Sequence, residues 1–356
     1  MPPTFDQPLA FCEDFPAIAR RFEAWWDQGM LDRPVFIAST NAVPEHPISR
    51  RLDLIDHPDR WFQAKLADMQ QLYRVGEALP IIRADLGPVV LSSLLGGDRI
   101  FEADTAWTPS FINDDWSNTN WILHDDNPWW QRTISLMQRV ARDAPGQYIV
   151  CSPGLGGTGE ALLTLRGATA LCMDVVQQPD RVRDAVEAIY PSWHRAFSTL
   201  YEIADAHGAH LVHWLALWSA RPYLVAECDF AYMIGPRHFE NLFLPDIVRQ
   251  ASAVGRAVYH LDGPAATRHL DALLDVPQLQ AIQFSPGAGA PSALPWIDMF
   301  KKIQNSDRSL QVICPAKEVF TLCDELAPEG LALTVETPLT VAELDNLFDR
   351  FCARFQ

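Results

Sequence analysis

Short apolar runs alternate with longer amphipathic segments along most of this 356-residue chain. Apolar runs of about four to eight residues are typical of buried strands, and apolar residues spaced three and four apart are typical of helices. The pattern predicts eight strands, at residues 34–39, 80–84, 148–152, 210–215, 256–260, 280–284, 310–314 and 331–335. It predicts helices at 61–77, 129–143, 161–174, 179–207, 236–254, 264–274, 294–304 and 316–326, and a last helix over 340–355.

The alternation of strands and helices indicates an α/β fold with a parallel sheet. Eight strand–helix units is the number that closes into a barrel. We therefore expect a single (β/α)8 TIM barrel over residues 1–356, with an N-terminal helical extension and a long lid-like insertion around 101–130. A doubly wound open sheet is the alternative, but no glycine-rich phosphate-binding turn follows the first predicted strand.

Composition and charge argue against several classes of function. The formal net charge is -17 and the sequence pI is about 4.9, so an anionic nucleic acid is not an expected partner. No apolar run approaches the roughly 20 residues that a membrane span needs. The first residues also lack the basic and apolar segments of a secretory signal. The seven cysteines are scattered without a CxxC pair, which is typical of a reduced, cytoplasmic protein.

Ionisable residues follow several of the predicted strands. His260 and Asp262 come at the end of the fifth strand, two positions apart, so both side chains are expected on the same side of the chain. In a parallel α/β barrel the carboxyl ends of the strands form the active site. We interpret His260, Asp262 and Asp85, which follows the second strand, as candidate catalytic residues. A histidine and a carboxylate at such a place can bind a metal, hold a substrate or transfer a proton.

Further carboxylates and a thiol extend this set. Glu227, Cys228 and Asp229 form a polar element in the long segment after the fourth predicted strand, and Glu336 follows the eighth. A lone buried cysteine is usually a packing residue, and a lone aspartate after a strand is usually a helix cap. Their interpretation as ligands or catalysts therefore depends on whether the fold brings them close to His260.

Twelve tryptophans are many for this length, and they predict either helix-to-barrel packing or an aromatic lining for a ligand. Several polar and aromatic residues lie in or just beyond the fourth and sixth predicted strands. Others lie in the insertion, whose weak periodicity predicts a lid. The candidates for substrate binding are Trp214, Trp218, His213, Gln283, Trp116 and Trp121.

Six segments carry a resemblance to a known superfamily through their order and spacing. They are Phe22–Trp26 with Asp32–Pro34, Ile81–Gly87, Gly156–Asp174, Ile234–Phe239 with Leu244 and Pro245, His260–Gly263, and Gly330 with Leu331. Together they resemble the uroporphyrinogen decarboxylase superfamily, which includes zinc-dependent methyltransferases that work with corrinoid proteins. The resemblance covers most of the chain, and the fold that it implies is a TIM barrel, in agreement with the strand count.

The resemblance implies a metal centre built on residues 260–263. The family's methyltransferases carry His-x-Cys there and a distant cysteine on the last strand, and these residues hold zinc. In this chain the segment reads His260-x-Asp262, the last-strand position falls near Glu336, and Cys228 is a candidate sulfur ligand. The implied zinc site is therefore His260, Glu336 and either Asp262 or Cys228. This harder ligand set suits activation of an oxygen nucleophile better than activation of a thiol.

Three functions stay open at this point. The first is metal-assisted methyl transfer to or from a small molecule, with a methyl-corrinoid supplied by a partner protein. The second is a metal-free decarboxylase or lyase in which His260 is the general acid or base and Asp262 or Asp85 assists it. The third is a non-catalytic ligand-binding barrel. By resemblance, we also expect a homodimer.

Uroporphyrinogen itself is not the expected substrate. True uroporphyrinogen decarboxylases carry an arginine-rich segment after the first strand, and its arginines bind the substrate carboxylates. Here that place reads Ala-Ser-Thr-Asn-Ala-Val-Pro over residues 38–44, without a cationic side chain. A substrate with many carboxylates would find no matching clamp in this segment.

Overall fold

The computed structural model describes residues 5–40, 52–102, 105–114, 116, 119–287 and 292–356. Its strands are β1 (Val35–Ser39), β2 (Arg74–Gly76), β3 (Ile81–Arg83), β4 (Ile100–Phe101), β5 (Ala106–Trp107), β6 (Ile149–Cys151), β7 (Leu211–Val212), β8 (Leu224–Glu227), β9 (Ala257–Asp262), β10 (Ala281–Ser285), β11 (Ser309–Cys314) and β12 (Leu331–Val335).

The α-helices lie between and around these strands. They are α1 (Phe15–Trp26), α2 (Leu52–Ile55), α3 (Pro58–Gln71), α4 (Val90–Leu94), α5 (Pro128–Arg142), α6 (Thr158–Arg166), α7 (Ala168–Gln177), α8 (Pro179–His207), α9 (Pro236–Leu242), α10 (Leu244–Val254), α11 (Leu270–Leu274), α12 (Ile297–Gln304), α13 (Val319–Glu325) and α14 (Val341–Ala353). Short 3-10 helices span Asp229–Met233, Pro264–His269, Leu294–Trp296 and Ala316–Glu318.

The strands form two sheets and one hairpin. The larger sheet has the order β2-β1-β12-β11-β10-β9-β8, and all its neighbours are parallel except β1 with β2. The smaller sheet has the order β3-β6-β7 and is parallel. Strands β4 and β5 pair antiparallel. The described residues therefore have a mixed α/β fold with mostly parallel central sheets.

Each of the eight predicted strands is present, as β1, β3, β6, β7, β9, β10, β11 and β12. The predicted N-terminal helical extension is α1, and the longest predicted helix is α8, with the bounds that the pattern predicts. The parallel strand β8 is an addition that the pattern did not predict. The described part of the insertion around 101–130 contains the β4–β5 hairpin, which begins at Ile100, then irregular chain, and the start of α5 at Pro128.

Alternation along the strands sorts apolar side chains into an inner and an outer core. The inner core contains the strand residues Val35, Ile37, Ile149, Cys151, Val212, Val225, Val258, Ala281 and Ala332. The residues between them in sequence, such as Phe36, Val150 and Ile282, belong to the outer core, which packs against the helices. Because side chains alternate between the two faces of a strand, the position of one residue predicts the side on which its neighbours two positions away lie.

Helix α1 covers the amino-terminal ends of the strands. Its Trp25 indole donates to the carbonyl of Leu310, near the start of β11, at 3.3 Å. The Trp26 indole donates to the carbonyl of Trp218 at 2.9 Å. Both tryptophans belong to the inner core. Since the amino-terminal end is filled with side chains, an accessible site has to lie at the carboxyl ends.

Helix α8 is 29 residues long and amphipathic rather than apolar throughout. Its buried residues, among them Val182, Val186, Ile189, Trp193 and Leu200, recur at helical spacing and face the outer core. It ends at Gly208, whose φ of +69° is favourable for glycine. Within the part of the chain that the structure describes, no helix is long and apolar enough to cross a membrane.

Candidate active site

A cavity of about 420 Å³ opens at the carboxyl ends of the strands. It is lined by residues at or after the ends of β3, β6, β7 and β8, and by His260 of β9. Helix α6 contributes Glu160, and the insertion contributes Thr105. Residues 41–44, part of the segment that the sequence comparison placed opposite the arginine-rich segment of true uroporphyrinogen decarboxylases, lie outside the described residues. The cavity volume is within the range of sites that bind small molecules.

His260 enters this cavity because of its register in the sheet. Val258 belongs to the inner core, so His260 and Asp262, at even spacing further along β9, project from the same face. The neighbouring strands place Glu227 and Gln283 beside His260 in the ladder. A row of polar side chains therefore replaces the apolar interior at this level.

The ring of His260 is oriented by two contacts. Its Nδ1 hydrogen-bonds Oε1 of the fully buried Gln283. An amide oxygen can only accept, so Nδ1 carries a proton, and in the neutral ring Nε2 has the lone pair. The Trp214 ring lies perpendicular to the imidazole, with the two centroids 4.7 Å apart. Nε2 is therefore the ring nitrogen left free of Gln283, and in the neutral ring it can bind a metal, a substrate or a proton.

Asp229, His260 and Asp262 form a cluster that could hold a metal ion. Each offers one ligand atom, and these atoms lie within 4.8 Å of one another. Asp229 begins the 3-10 helix after β8, and its backbone N–H donates to the Glu160 carboxylate at 2.6 Å. One imidazole nitrogen and two carboxylate oxygens suit a catalytic zinc site, which has three protein ligands and an open position. The same donors also accept other divalent ions of similar hardness.

Acidic groups are concentrated around this cluster. Desolvation raises the pKa of Asp229; the nearby His260 lowers it, and the nearby Asp262 raises it further. Burial also raises the pKa of Glu227 to about 8, with a smaller contribution from Asp229. The pKa of Glu160 is raised well above its ordinary range, first by burial and then by Asp229 and Glu227. A bound divalent cation would offset the mutual repulsion of these carboxylates.

Arg83 and Asp85 line another part of the cavity wall. Asp85 accepts a hydrogen bond from the Gly87 backbone N–H at 2.6 Å, and this bond stabilises the turn after β3. The Arg83 guanidinium lies 3.9 Å from the other carboxylate oxygen of Asp85. Asp85, a candidate catalytic residue, therefore lies in the same cavity as His260 and also has a structural role.

His213 lies in a smaller side cavity next to the main one. Its Nε2 donates to the backbone carbonyl of Tyr223 at 2.8 Å, and its Nδ1 accepts from the Ser152 hydroxyl at 2.7 Å. Desolvation lowers the pKa of His213 to about 4, although the bond to Tyr223 opposes the shift. The ring is therefore neutral near pH 7 and connects β7 to the residue before β8.

The structure separates several predicted site residues from the cavity. Trp218 lies under α1 at the amino-terminal end, against the rings of Phe15 and His210. The chain reverses direction after Trp214, with a φ of +56° at Ala216, and so carries Trp218 away from the carboxyl ends. Trp214 lines the main cavity, whereas Gln283 contacts it only through His260.

The two tryptophans of the insertion that were predicted to bind substrate, Trp116 and Trp121, pack outside the cavity. Trp116 is 6% exposed and lies against the guanidinium groups of Arg166 and Arg181. Trp121 packs against the outer core, and its carbonyl accepts a hydrogen bond from Ser192. In the part of the insertion that the structure describes, the residue that reaches the cavity wall is Thr105.

Two predicted metal ligands lie apart from the cluster. Cys228 is buried against Gly159 of α6, because it has the opposite alternation from Glu227 and Asp229 on either side of it. Glu336 lies just beyond β12, is exposed, and donates its backbone N–H to the carbonyl of Cys314. Among the described residues, Asp229 takes the third place beside His260 and Asp262.

Sequence reasoning left four ionisable cavity residues without an assigned role. They are Arg83, Glu160, Glu227 and Asp229. The sequence pattern did not predict β8. Had Leu224–Glu227 been predicted as a strand, the alternation of its side chains would have placed Glu227 on the inner face with Val225. Glu160 had no such signal, because it comes from a helix rather than a strand end.

Comparison with known proteins shows the fold but no family. No protein-family profile matches the chain, and no curated protein matches it. The solved structure of a methyltransferase from Methanosarcina mazei superposes with a TM-score of 0.61 over 95% of this chain and 98% of that one, at 13% sequence identity. At this identity the likeness shows that the two chains share a fold, and the chemistry of this chain has to be argued from its own residues.

Proposed function

We propose that this protein is a metal-assisted methyltransferase of the uroporphyrinogen decarboxylase type. The observation that carries the proposal is the cluster of Asp229, His260 and Asp262, which lies at the carboxyl ends of parallel strands. The shared fold with a methyltransferase and the resemblance of the His260–Gly263 segment support it. Sequence alone favoured a cluster of His260, Glu336 and either Asp262 or Cys228, and the geometry favours Asp229 beside His260 and Asp262.

The proposal includes closure of the two parallel sheets into one TIM barrel. The inner core supports closure, because it combines residues of the larger sheet, such as Val35 and Val258, with Ile149 and Val212 of the smaller one. A barrel of this type places all strand ends around one mouth. A homodimer, a cytoplasmic location and a methyl-corrinoid partner protein remain parts of the proposal that come from the sequence.

In the proposed mechanism, Asp229, His260 and Asp262 would hold a divalent ion, with zinc as the ion implied by resemblance. Such an ion would lower the pKa of a substrate thiol, alcohol or water and so supply a nucleophile near neutral pH. Gln283 holds the His260 ring in the tautomer that exposes Nε2. Trp214 packs against that ring and shields it on one side. The oxygen-rich donor set favours an oxygen nucleophile over sulfur.

Metal titration of purified variants tests this proposal. We expect wild-type protein to bind about one equivalent of zinc, and His260→Ala, Asp262→Asn and Asp229→Asn each to weaken binding at least about tenfold, because each removes one ligand or its charge. Glu336→Gln and Cys228→Ser are matched controls and should bind zinc as the wild type does. Wild-type protein that takes up less than about a tenth of an equivalent on addition of zinc would contradict the proposal.

A metal-free carboxy-lyase is a second candidate, favoured by His260, whose Nε2 is left free of the bond to Gln283, in a cavity that also contains a guanidinium. In that case His260 would be the general acid or base, and Asp85 or Asp262 would assist it. Dialysis against a chelator separates the two candidates. Turnover that survives the chelator but is lost in His260→Ala supports the lyase, and turnover lost with the chelator and restored by zinc supports metal-assisted transfer.

A further inference from the structure

Arg83 provides a positive charge in the wall of an otherwise acidic cavity. It ends β3, and its side chain is 43% exposed toward the cavity that His260 and Asp229 also line. It is the one lysine or arginine among the described residues that form this wall. Its position follows from register, since Arg83 pairs with the inner-core residue Cys151 in the ladder.

The contacts of Arg83 leave much of its hydrogen-bonding capacity unused. The guanidinium lies 3.9 Å from Asp85 and 3.4 Å from the carbonyl of Trp214, and the thiol of Cys151 interacts with it. The buried Arg33, by comparison, makes two hydrogen bonds of 2.8 Å to Glu77. A guanidinium has five N–H donors in a planar fork, which matches the two oxygens of a carboxylate.

Asp85 is held away from a close pair with Arg83. Its Oδ1 accepts the Gly87 N–H at 2.6 Å, in a turn where Gly87 has a φ of +90°. An added Cβ at Gly87 would lie 2.7 Å from the Cβ of Ala106, so the turn has little freedom to move. The Asp85 carboxylate therefore hydrogen-bonds the backbone instead of pairing closely with Arg83, and N–H donors of Arg83 are left to bind a ligand.

We propose that the substrate carries a single carboxylate that binds to Arg83, with its reacting end at the Asp229–His260–Asp262 cluster. This inference rests on the proposed function, since that cluster defines the reacting end. A singly charged anion is preferred because Asp85 and Asp229 line the same cavity, and a dianionic phosphate would meet stronger repulsion. One arginine suits one carboxylate, in agreement with the missing clamp for a substrate with many carboxylates.

Calorimetric titration with a matched pair of small probes tests the inference. Butyrate and butyramide have similar size and differ in charge, and both are titrated into metal-free wild type, Arg83→Gln and Arg132→Gln. Arg132 is a matched control, because its guanidinium pairs with Asp56 outside the cavity. We expect the wild type and Arg132→Gln to bind butyrate at least about tenfold more tightly than butyramide, and Arg83→Gln to bind both alike.

The outcomes separate this inference from the proposed function. Equal affinity of the wild type for the two probes, or a preference for butyrate that persists in Arg83→Gln, overturns the role of Arg83. Tighter binding of butyl phosphate than of butyrate overturns the choice of a monoanion. Zinc titration of Arg83→Gln should match that of the wild type, and absence of zinc binding in both proteins would overturn the metal site while leaving the probe result valid.

Discussion

The position of one proton decides what His260 can do. Gln283 accepts a hydrogen bond from Nδ1, so Nε2 is the nitrogen that can offer a lone pair to the cavity when the ring is neutral. Gln283 is fully buried, and its own Nε2 has no hydrogen-bond partner among the described residues. A buried amide with an unused donor costs stability. We infer that Gln283 is placed beside His260 to orient its ring toward a ligand.

Replacement of Gln283 should therefore weaken metal binding more than it changes folding. We expect Gln283→Leu to lower zinc affinity by about 10–100-fold, because the imidazole loses the partner that fixes its tautomer and orientation. Gln311→Leu is the matched control: Gln311 is equally buried and pairs with Gln283 in the ladder, but its amide donates to Thr334. Competition titration against a chelator measures both variants, and equal losses of affinity in the two would contradict the role of Gln283.

A second histidine has a structural role that depends on pH. His213 is neutral in the folded protein because burial lowers its pKa to about 4, and it bonds both Ser152 and Tyr223. In the unfolded chain its pKa would be near the ordinary value of about 6.5. Between these values the unfolded state binds more protons, so stability falls as pH decreases from about 6.5 to about 4.

Because of this linkage, His213 should lower the free energy of unfolding by on the order of 3 kcal/mol as the pH falls from about 6.5 to about 4. We expect the free energy of unfolding to fall less between pH 7 and pH 4.5 in His213→Gln than in the wild type, as measured by urea denaturation. His207→Gln, which changes an exposed histidine at the end of α8, should follow the wild type. The same slope in His213→Gln and the wild type would contradict the assignment.

At the scale of elements, the sequence predicted where strands and helices lie better than it predicted where they break. The single helix expected over 161–174 is two helices, α6 and α7, separated at Gly167. The helix expected over 236–254 divides at Phe243 into α9 and α10. Apolar periodicity continues through both breaks because both halves pack on the same core, so the pattern alone cannot detect the change of direction.

The candidate site was predictable only in part for a similar reason. His260 and Asp262 could be placed together because they belong to one strand. Asp229 joins them through the parallel pairing of β8 with β9, which joins segments about 30 residues apart. Short apolar runs such as Leu224–Glu227 carry a weak strand signal, and the neighbouring Cys228 was interpreted as a candidate sulfur ligand in place of Asp229.

Gly167 is the residue that permits the break between α6 and α7. Its φ of +85° and ψ of 142° lie in a region that is essentially restricted to glycine. We expect Gly167→Ala to destabilise the protein by about 1–3 kcal/mol because alanine is strained there. Gly235→Ala is the matched control, since Gly235 also precedes a helix but has a negative φ and open space around it. Equal unfolding midpoints of the two variants in urea would show that Gly167 is not strained.

At the scale of the whole molecule, the two ends of the sheets have separate tasks. The carboxyl ends carry the cavity, with ionisable groups that are left partly exposed. The amino-terminal ends are closed by α1, whose tryptophans belong to the inner core. Parallel sheets allow this division because all their strand ends of one kind lie on the same side. Substitutions at the closed end should therefore affect folding and leave the site intact.

Glu23 of α1 offers a test of this division. Its carboxylate pairs at 2.8 Å with Arg256, which is 2% exposed and directly precedes β9. Removal of one partner from a buried ion pair leaves the other charge uncompensated. We expect Glu23→Ala to lower the free energy of unfolding by on the order of 2–3 kcal/mol, a moderate value because Asp27 remains 3.8 Å from the guanidinium.

The same variant should bind zinc as tightly as the wild type, because Arg256 precedes the amino-terminal end of β9 and His260 lies near its carboxyl end. Glu13→Ala, which changes an exposed carboxylate just before α1, should alter neither stability nor zinc affinity. Urea denaturation and zinc titration on the three proteins measure both properties. A loss of zinc affinity in Glu23→Ala while the protein is fully folded would mean that the two ends are coupled through the strands, and the division of tasks would then be wrong.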